Sequence, residues 1–145
     1  MENEFKQIII VRKDLEMSPG KVGAQVSHAS EAFLIRAIID KAIDQMSEDT
    51  VLCPITIPRD CFENWICGSH AKTCLRAKNK NQLLKAVTIA EEIGLKKDED
   101  FFLVYDECRT EIEAEEADGT TLTCIGFAPL PCEVADKIGR KYQLY

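Results

Sequence analysis

The sequence predicts an α/β domain in which helices cover a small sheet. The apolar run FKQIIIVR at Phe5–Arg12 does not alternate with polar residues, which is typical of a strand buried on both faces. Strand-like and helix-like segments then follow in the order β-α-excursion-β-α-β-β-α, and 145 residues suit one compact domain. We therefore expect a single domain over residues 1–145, with an irregular excursion at about 47–69 and a mostly parallel sheet.

The best-marked helix follows the first strand, in the segment MSPGKVGAQVSHAS. Ser18 is a favourable N-cap, and Pro19 suits the first helical position, where a backbone N–H would have no partner. The apolar residues that follow recur at three- and four-residue steps; they are Val22, Val26, Ala29, Phe33 and Ala37. These features predict a helix from Ser18 to about Gln45.

Turn residues separate the remaining elements. Prolines and a glycine interrupt residues 47–69, where we expect Phe62, Trp65 and Ile66 to anchor the excursion to the core. The later elements are a strand at 71–77, a helix capped by Asn79 and ended by Gly94, strands at 101–106 and 120–128, and a final helix that opens after Pro131. The last two strands are expected to run antiparallel across the acidic connection at 111–119.

Charge is distributed unevenly along the chain, whose net charge is −7. Residues 98–118 hold ten acidic residues and one basic residue, a local charge of −9. Residues 72–97 hold seven basic residues against two acidic ones, so a basic surface for nucleic acid is compatible with an acidic protein. A solvated helix face is the alternative explanation of the same basic residues.

The N-terminal segment MENEFKQIII lacks the pattern of a signal peptide, and no apolar run reaches the roughly 18 residues of a membrane span. We therefore expect a cytoplasmic protein with no membrane partner. The seven cysteines are an odd number without dense spacing, which favours free thiols over disulfides. A zinc site remains an alternative, although no CxxC pair is present; its ligands would come from Cys53, Cys61, Cys67, His70 and Cys74.

Polar residues on the first predicted helix form a candidate ligand site. Lys21, Gln25 and His28 are spaced i, i+4 and i+7, so they share one stripe of the helix. The stripe begins in the first turn, where unpaired N–H groups favour an anion, and Gly20 allows a ligand to approach the backbone. The alternative is structural, with a solvated lysine and a histidine packed against the sheet.

A second polar group follows the third predicted strand. Asp106, Arg109 and Thr110 lie where that strand ends. If the strand runs parallel to the first one, these residues face Lys21 across one cleft, because ligands collect at the carboxyl ends of strands in α/β sheets. An acidic turn closed by an arginine ion pair is the alternative.

Both groups belong to segments that resemble the type II peptidyl-tRNA hydrolases. The similar segments are VRKDLEMSPGKVGAQVSHAS from Val11, DECRTEI from Asp106 and DGTTLTCIGFAP from Asp118. The resemblance implies a three-layer fold with a small mixed four-stranded sheet flanked by helices, and hydrolysis of the ester that joins a peptide to tRNA. It also implies a homodimer and no metal or organic cofactor.

The resemblance assigns site residues as well. Lys21, Asp106 and Thr110 match the catalytic positions, and the substrate-binding candidates are Arg12, Gly20, Gln25, His28 and Arg109. Lys21 would stabilise the negative carbonyl oxygen, Asp106 would act as base or fix Lys21, and Thr110 would position the water or the ribose hydroxyl. His28 is a competing base, since its usual pKa suits neutral pH.

Binding of peptidyl-tRNA would depend on phosphate contacts from lysine and arginine side chains. The candidates are Arg12, Lys13, Lys78, Lys80 and Lys85. The segment Glu107-Cys108 and the acidic stretch EAEEAD depart from the pattern of the family. A non-catalytic relative that uses the same cleft to bind a small anion or a protein is therefore the alternative function.

Overall fold

The computed structural model describes residues 4–42 and 47–145, and its centre is a mixed sheet. The long strands are β1 (Phe5–Arg12), β2 (Lys72–Ala77), β3 (Phe101–Asp106) and β4 (Thr121–Phe127); the two-residue strands are β5 (Leu130–Pro131) and β6 (Gln143–Leu144). Their order in space is β3-β4-β1-β2-β6, and β5 pairs with the start of β1. The described residues thus form six strands where four were expected, because two short segments add hydrogen bonds to β1 and β2.

The helices are α1 (Pro19–Ala42), α2 (Arg59–Cys61), α3 (Lys80–Glu92) and α4 (Cys132–Gly139), and a π-helical turn at Phe62–Ile66 continues α2. The predicted start of α1 is confirmed, since the Ser18 hydroxyl accepts a hydrogen bond of 3.3 Å from the Lys21 backbone N–H. Asn79 caps α3 by accepting a bond of 2.8 Å from the Gln82 N–H. The predicted end of α1, near residue 45, lies outside the described residues.

The strand directions correct the expectation of a mostly parallel sheet. β1 and β2 run parallel, whereas β4 is antiparallel to both β1 and β3. The predicted antiparallel pairing of the last two long strands is confirmed, and the reason is that no crossover helix separates them. Since β1 and β3 are both antiparallel to β4, they point the same way. The ends of β1, β2 and β3 therefore meet at one side of the sheet, here called the carboxyl edge.

Helices pack on both faces of the sheet, which explains the continuous apolar run of β1. Ile8 and Ile10 face a core cluster that includes Leu83 from α3 and Ile138 from α4. Ile9 and Val11 face the opposite way, toward a cluster that contains Ala29 from α1. Within the described residues, no helix combines the length and apolar character needed to cross a bilayer.

The excursion between α1 and β2 is anchored by one aromatic side chain. Trp65 is 5% exposed, and its ring lies edge-on to Phe33 of α1 with ring centroids 5.8 Å apart. Its indole N–H donates a hydrogen bond of 3.0 Å to the Ala71 carbonyl, just before β2. Ile66 packs against the same cluster, whereas Phe62 is 48% exposed and does not act as the expected anchor.

Helix α1 is held unusually close to β4, and two residues make this approach possible. A Cβ atom at Gly126 would lie 2.2 Å from the Ala29 carbonyl oxygen, so only glycine fits this position of the strand. Gln7 is fully buried, and its amide donates to the Ser30 and Phe127 carbonyls at 2.9 and 3.1 Å. These contacts fix the position of α1 over the sheet, and with it the position of Lys21.

We predict that Gly126→Ala lowers the free energy of unfolding by about 1–3 kcal/mol, because the added methyl group forces α1 and β4 apart. Gly23→Ala is the matched control, since a Cβ there meets open space on an exposed turn of α1. The control is expected to stabilise the protein by about 0.5–1 kcal/mol through helix propensity. Urea unfolding of both variants measures the difference, and a Gly126→Ala variant as stable as the wild type would contradict the close packing.

Candidate active site

Three polar side chains meet at the carboxyl edge, beside the start of α1. The Lys21 ammonium donates hydrogen bonds to Asp106 Oδ1 at 2.8 Å and to Thr110 Oγ1 at 3.1 Å. The side chains of Lys21 and Asp106 are each 13% exposed, so the ion pair is largely shielded from solvent. Residues from α1, from the end of β3 and from the segment after β3 are thus joined by hydrogen bonds. This group of Lys21, Asp106 and Thr110 is called the lysine cluster below.

Gln25 supports the lysine cluster from the interior. It is buried one turn after Lys21, and its amide nitrogen donates a hydrogen bond of 3.2 Å to Asp106 Oδ1. Its amide oxygen accepts a bond of 2.6 Å from the buried hydroxyl of Thr123 on β4. Sequence reasoning missed Thr123, although hydroxyl residues inside the apolar strand TLTCIGF are a signal, because a buried hydroxyl needs a partner.

The Asp106 carboxylate is held in its ionised form. Burial alone would raise its pKa, but hydrogen bonds from Lys21, from the Cys108 backbone N–H at 2.9 Å and from Gln25 outweigh burial and lower the pKa below its ordinary value of 3.8. A carboxylate with a lowered pKa is a weak base. Of the two roles considered for Asp106, the geometry therefore favours fixing the ammonium of Lys21 over accepting a proton from water.

Two predicted site residues do not join the lysine cluster. The His28 side chain is 62% exposed, and its Nδ1 atom lies 3.8 Å from a Glu31 oxygen. The Arg109 side chain is 81% exposed and pairs with Glu107 at 2.7 Å. Among the described residues, neither forms a hydrogen bond with Lys21, Asp106 or Thr110. Gly20 is exposed, with open space where a Cβ would lie.

Arg12 differs most from its expected role as a surface cation. Its side chain is 3% exposed, and it pairs with Asp14 at 2.8 Å and with Glu115. It also donates a hydrogen bond of 3.1 Å to the Leu122 carbonyl. The sequence placed Arg12 among the cations for tRNA because nothing local shows that Glu115, which lies 103 residues later, folds back onto it. In this structure every guanidinium nitrogen of Arg12 already donates a hydrogen bond within the protein, so the side chain is not available to a phosphate.

The other candidate cations fall into two groups. Lys80 pairs with Glu116, and the hydrogen bond that its ammonium donates to this carboxylate raises the pKa of Lys80 above its ordinary value. Lys78 and Lys85 are exposed and pair with no carboxylate within the described ranges. Lys13 is also exposed, and its ammonium lies 4.3 Å from the centre of the Tyr145 ring.

The connection between β3 and β4, residues 107–120, is called the acidic strap. Its Glu111 accepts hydrogen bonds from the backbone N–H of Ser18, at 2.9 Å, and from the Ser18 hydroxyl. Glu115 pairs with Arg12 at the end of β1, and Glu116 pairs with Lys80 at the start of α3. The strap turns back at Gly119, whose φ of 88° lies in the left-handed region that favours glycine. Sequence reasoning treated these acids only as added charge, whereas the structure shows them bound along the carboxyl edge.

The cysteines do not form the alternative zinc site. All seven thiols lie within the described residues and are free. Over residues 4–42 and 47–145, no three side chains of His, Cys, Asp or Glu are grouped as ligands of one metal ion. Burial raises the pKa of the Cys124 thiol to about 12, which is typical of an unreactive core cysteine.

The sequence pattern of the family described as "Peptidyl-tRNA hydrolase PTH2" matches residues 5–145, which include the whole lysine cluster. The chain belongs to this family. A peptidyl-tRNA hydrolase of Methanopyrus kandleri is 34% identical over 134 residues, which cover 92% of this chain and 92% of the relative. A peptidyl-tRNA hydrolase of Thermoplasma acidophilum is 30% identical over 139 residues, which cover 96% of this chain and 97% of the relative. This member of the PTH2 family therefore matches its relatives over nearly their full length.

We predict that Glu115→Gln makes stability less sensitive to acid. The hydrogen bond from Arg12 lowers the pKa of Glu115 below its ordinary value of 4.5, so the unfolded chain binds this proton more readily than the folded one. The stabilisation is complete above about pH 4.5 and is lost as the pH falls through the lower folded pKa. Glu115→Gln should therefore show a shallower loss of unfolding free energy between pH 6 and pH 3 than the wild type.

The control for this measurement is Glu113→Gln. Glu113 lies on the same strap, is exposed, and forms no side-chain hydrogen bond or ion pair within the described residues. The dependence of its unfolding free energy on pH should follow that of the wild type. Parallel profiles for Glu115→Gln and the wild type would contradict a contribution of the Arg12 pair to acid stability.

Proposed function

We propose that this protein hydrolyses the ester bond between the peptide and the terminal ribose of peptidyl-tRNA. One observation carries the proposal. The Lys21 ammonium, at the start of α1, is hydrogen-bonded to the ionised carboxylate of Asp106 and to the hydroxyl of Thr110. Membership of the PTH2 family supports the reaction class. The full-length similarity to two proteins named peptidyl-tRNA hydrolase supports the substrate.

Lys21 is the group that stabilises the transition state. An ammonium has three N–H donors, and Asp106 and Thr110 accept two of them. The third remains for the carbonyl oxygen of the ester, which becomes negative when water attacks the carbonyl carbon. A donor of this kind contributes about 2.7–4 kcal/mol to lowering the barrier, because the charge develops only during the reaction.

Asp106 and Thr110 position the other reacting groups. Asp106 fixes the ammonium, while Thr110 accepts from Lys21 and keeps its own O–H free to donate to the water or to the ribose hydroxyl. Water forms the new C–O bond as the ester C–O bond breaks, and one proton of the water ends on the ribose oxygen. Gln25 is a positioning residue, since it acts through Asp106. The proposal assigns no step to a metal or an organic cofactor.

The tRNA backbone is bound by exposed lysines at the carboxyl edge. The Lys13 backbone N–H donates a hydrogen bond of 2.8 Å to the Ala77 carbonyl, which brings the segments after β1 and β2 together. Lys13 and Lys78 are therefore neighbours on one surface, and Lys85 lies on α3 close by in sequence. Contacts of ammonium groups with phosphates release counterions, so this binding weakens as the salt concentration rises.

The proposal includes a cytoplasmic location, because a reducing compartment keeps thiols unpaired and all seven cysteines here are free. It also includes a homodimer. Large apolar side chains remain exposed on the second half of α1 and on the excursion: Ile35 is 43% exposed, Ile39 is 56% exposed and Leu52 is 66% exposed. A second copy of the chain that covers this surface would remove these side chains from water.

We predict that Lys21→Ala lowers kcat about 10²- to 10³-fold, because the carbonyl oxygen loses its donor. His28→Ala is the matched control on the same helix and should retain activity within about threefold, since the loss of a general base costs at least about 100-fold. Release of peptide from peptidyl-tRNA measures both, and urea unfolding verifies that each variant is folded. Equal losses in the two variants would contradict the assigned roles.

We predict that the wild type sediments as a dimer and that Ile39→Ser shifts it toward the monomer. The substitution places a hydroxyl in the apolar surface without touching the lysine cluster. Sedimentation velocity over a range of protein concentrations measures the distribution. A wild type that stays monomeric at every concentration would exclude the proposed homodimer.

The alternative function is a binding module that has lost hydrolysis. The acidic strap supports it, because Glu107 and Glu111 add negative charge beside the lysine cluster, where a tRNA phosphate must approach. In that case the folded wild type binds a small anion or a protein partner in the same cleft and does not release peptide from peptidyl-tRNA. The cleavage assay on the wild type therefore separates the two functions.

A further inference from the structure

The chemistry described above uses Thr110 of the acidic strap but leaves the carboxylates of the strap without a role in the reaction. These carboxylates occupy successive groups along the carboxyl edge, from Ser18 at the start of α1, through Arg12 at the end of β1, to Lys80 at the start of α3. The strap therefore runs from the lysine cluster, to which its Thr110 belongs, to Lys80 near the exposed Lys78. A tRNA that reaches the lysine cluster from those lysines must pass it.

The two ion pairs that join the strap to other parts of the fold differ in accessibility. Arg12 is 3% exposed and has a second carboxylate partner in Asp14, so this pair belongs to the folded framework. The side chains of Lys80 and Glu116 are 36% and 35% exposed. An ion pair this exposed contributes little free energy. If the carboxylate is removed, the Lys80 ammonium becomes available to a phosphate.

Lys80 would otherwise extend the row of phosphate-binding lysines. It stands two residues after Lys78, and the segment that holds both follows β2 at the carboxyl edge. Lys78 pairs with no carboxylate in the part of the chain that the structure describes, whereas Lys80 pairs with Glu116. The strap thus neutralises one cation of a group that would otherwise consist of Lys13, Lys78 and Lys80.

We infer that Glu116 limits the affinity of the enzyme for tRNA, because it pairs with Lys80 and so holds this cation away from tRNA phosphates. This inference rests on the proposed function. Hydrolysis leaves every phosphate on the tRNA product, so phosphate contacts hold substrate and product equally and do not discriminate between them. Weaker binding of the phosphates favours release of the product tRNA. Preferential binding of peptidyl-tRNA over free tRNA must then come from contacts with the peptide and the ester.

The test measures binding of deacylated tRNA by four forms of the full chain: the wild type, Glu116→Gln, Glu113→Gln and the double variant Lys80→Gln/Glu116→Gln. Glu116→Gln should bind about two- to fivefold more tightly, because Lys80 becomes available. The slope of log K against log salt should steepen by about 0.7–0.9, the range from single strands to duplex DNA for one additional phosphate contact. Glu113→Gln removes the same charge from the same strap without freeing a cation, so it should change the affinity less.

The double variant has the net charge of the wild type and lacks both partners, so it should bind within about twofold of the wild type. Two results would overturn the inference: equal affinities of Glu116→Gln and Glu113→Gln, or clearly weaker binding by the double variant, which would mean that Lys80 already contacts phosphate. If either result accompanies normal cleavage of peptidyl-tRNA, the inference fails and the proposed function stands. If no form binds tRNA or cleaves the substrate, both fail. Urea unfolding verifies that all four forms are folded.

Discussion

The ion pair between Lys21 and Asp106 is the interaction on which the site depends. It joins side chains 85 residues apart in sequence, and each is only 13% exposed. A shielded ammonium without its carboxylate would lose the partner that offsets its desolvation, so the two groups are stable there only together. Their pairing also keeps Asp106 ionised, and together Asp106 and Thr110 accept two of the three N–H donors of Lys21.

This ion pair forms only if α1 and β3, which both pack against β4, are held in fixed positions relative to each other. Gly126 lets α1 approach the backbone of β4, and Gln7 fastens the helix to the same strand through hydrogen bonds. Gln25 and Thr123 then connect the helix, β4 and Asp106 directly. A shift of α1 by the width of one methyl group would therefore also displace Lys21 relative to Asp106. The framework and the site are parts of one hydrogen-bonded unit.

Local signals in the sequence were sufficient for most elements, whereas the resemblance to the family singled out the three members of the lysine cluster. Ser18 and Asn79 mark helix starts through the geometry of their own side chains, and the spacing of Lys21 and Gln25 places both on one helix face. The direction of the sheet was predicted less well, because strand order depends on contacts between distant segments. The burial of Arg12 was missed for the same reason, since its partner Glu115 is identified only after the strap has folded back.

The acidic strap is joined to other parts of the fold by two ion pairs of different kinds. Glu115 completes the buried environment of Arg12, while Glu116 pairs with Lys80, which is far more exposed than Arg12 and which we infer to be a potential phosphate contact. Net charge alone does not distinguish these roles, since both residues add one negative charge to the same stretch. The exposure of the partner cation distinguishes them.

The most direct test of the account is a double-mutant cycle on single-turnover cleavage of peptidyl-tRNA, with Lys21→Met, Asp106→Asn and the double variant. If Asp106 acts by holding the Lys21 ammonium, the double variant should be no slower than Lys21→Met alone, because residues that work as a unit lose their effect together. Losses that multiply in the double variant would show that the two residues act independently, and would contradict the central role of their ion pair.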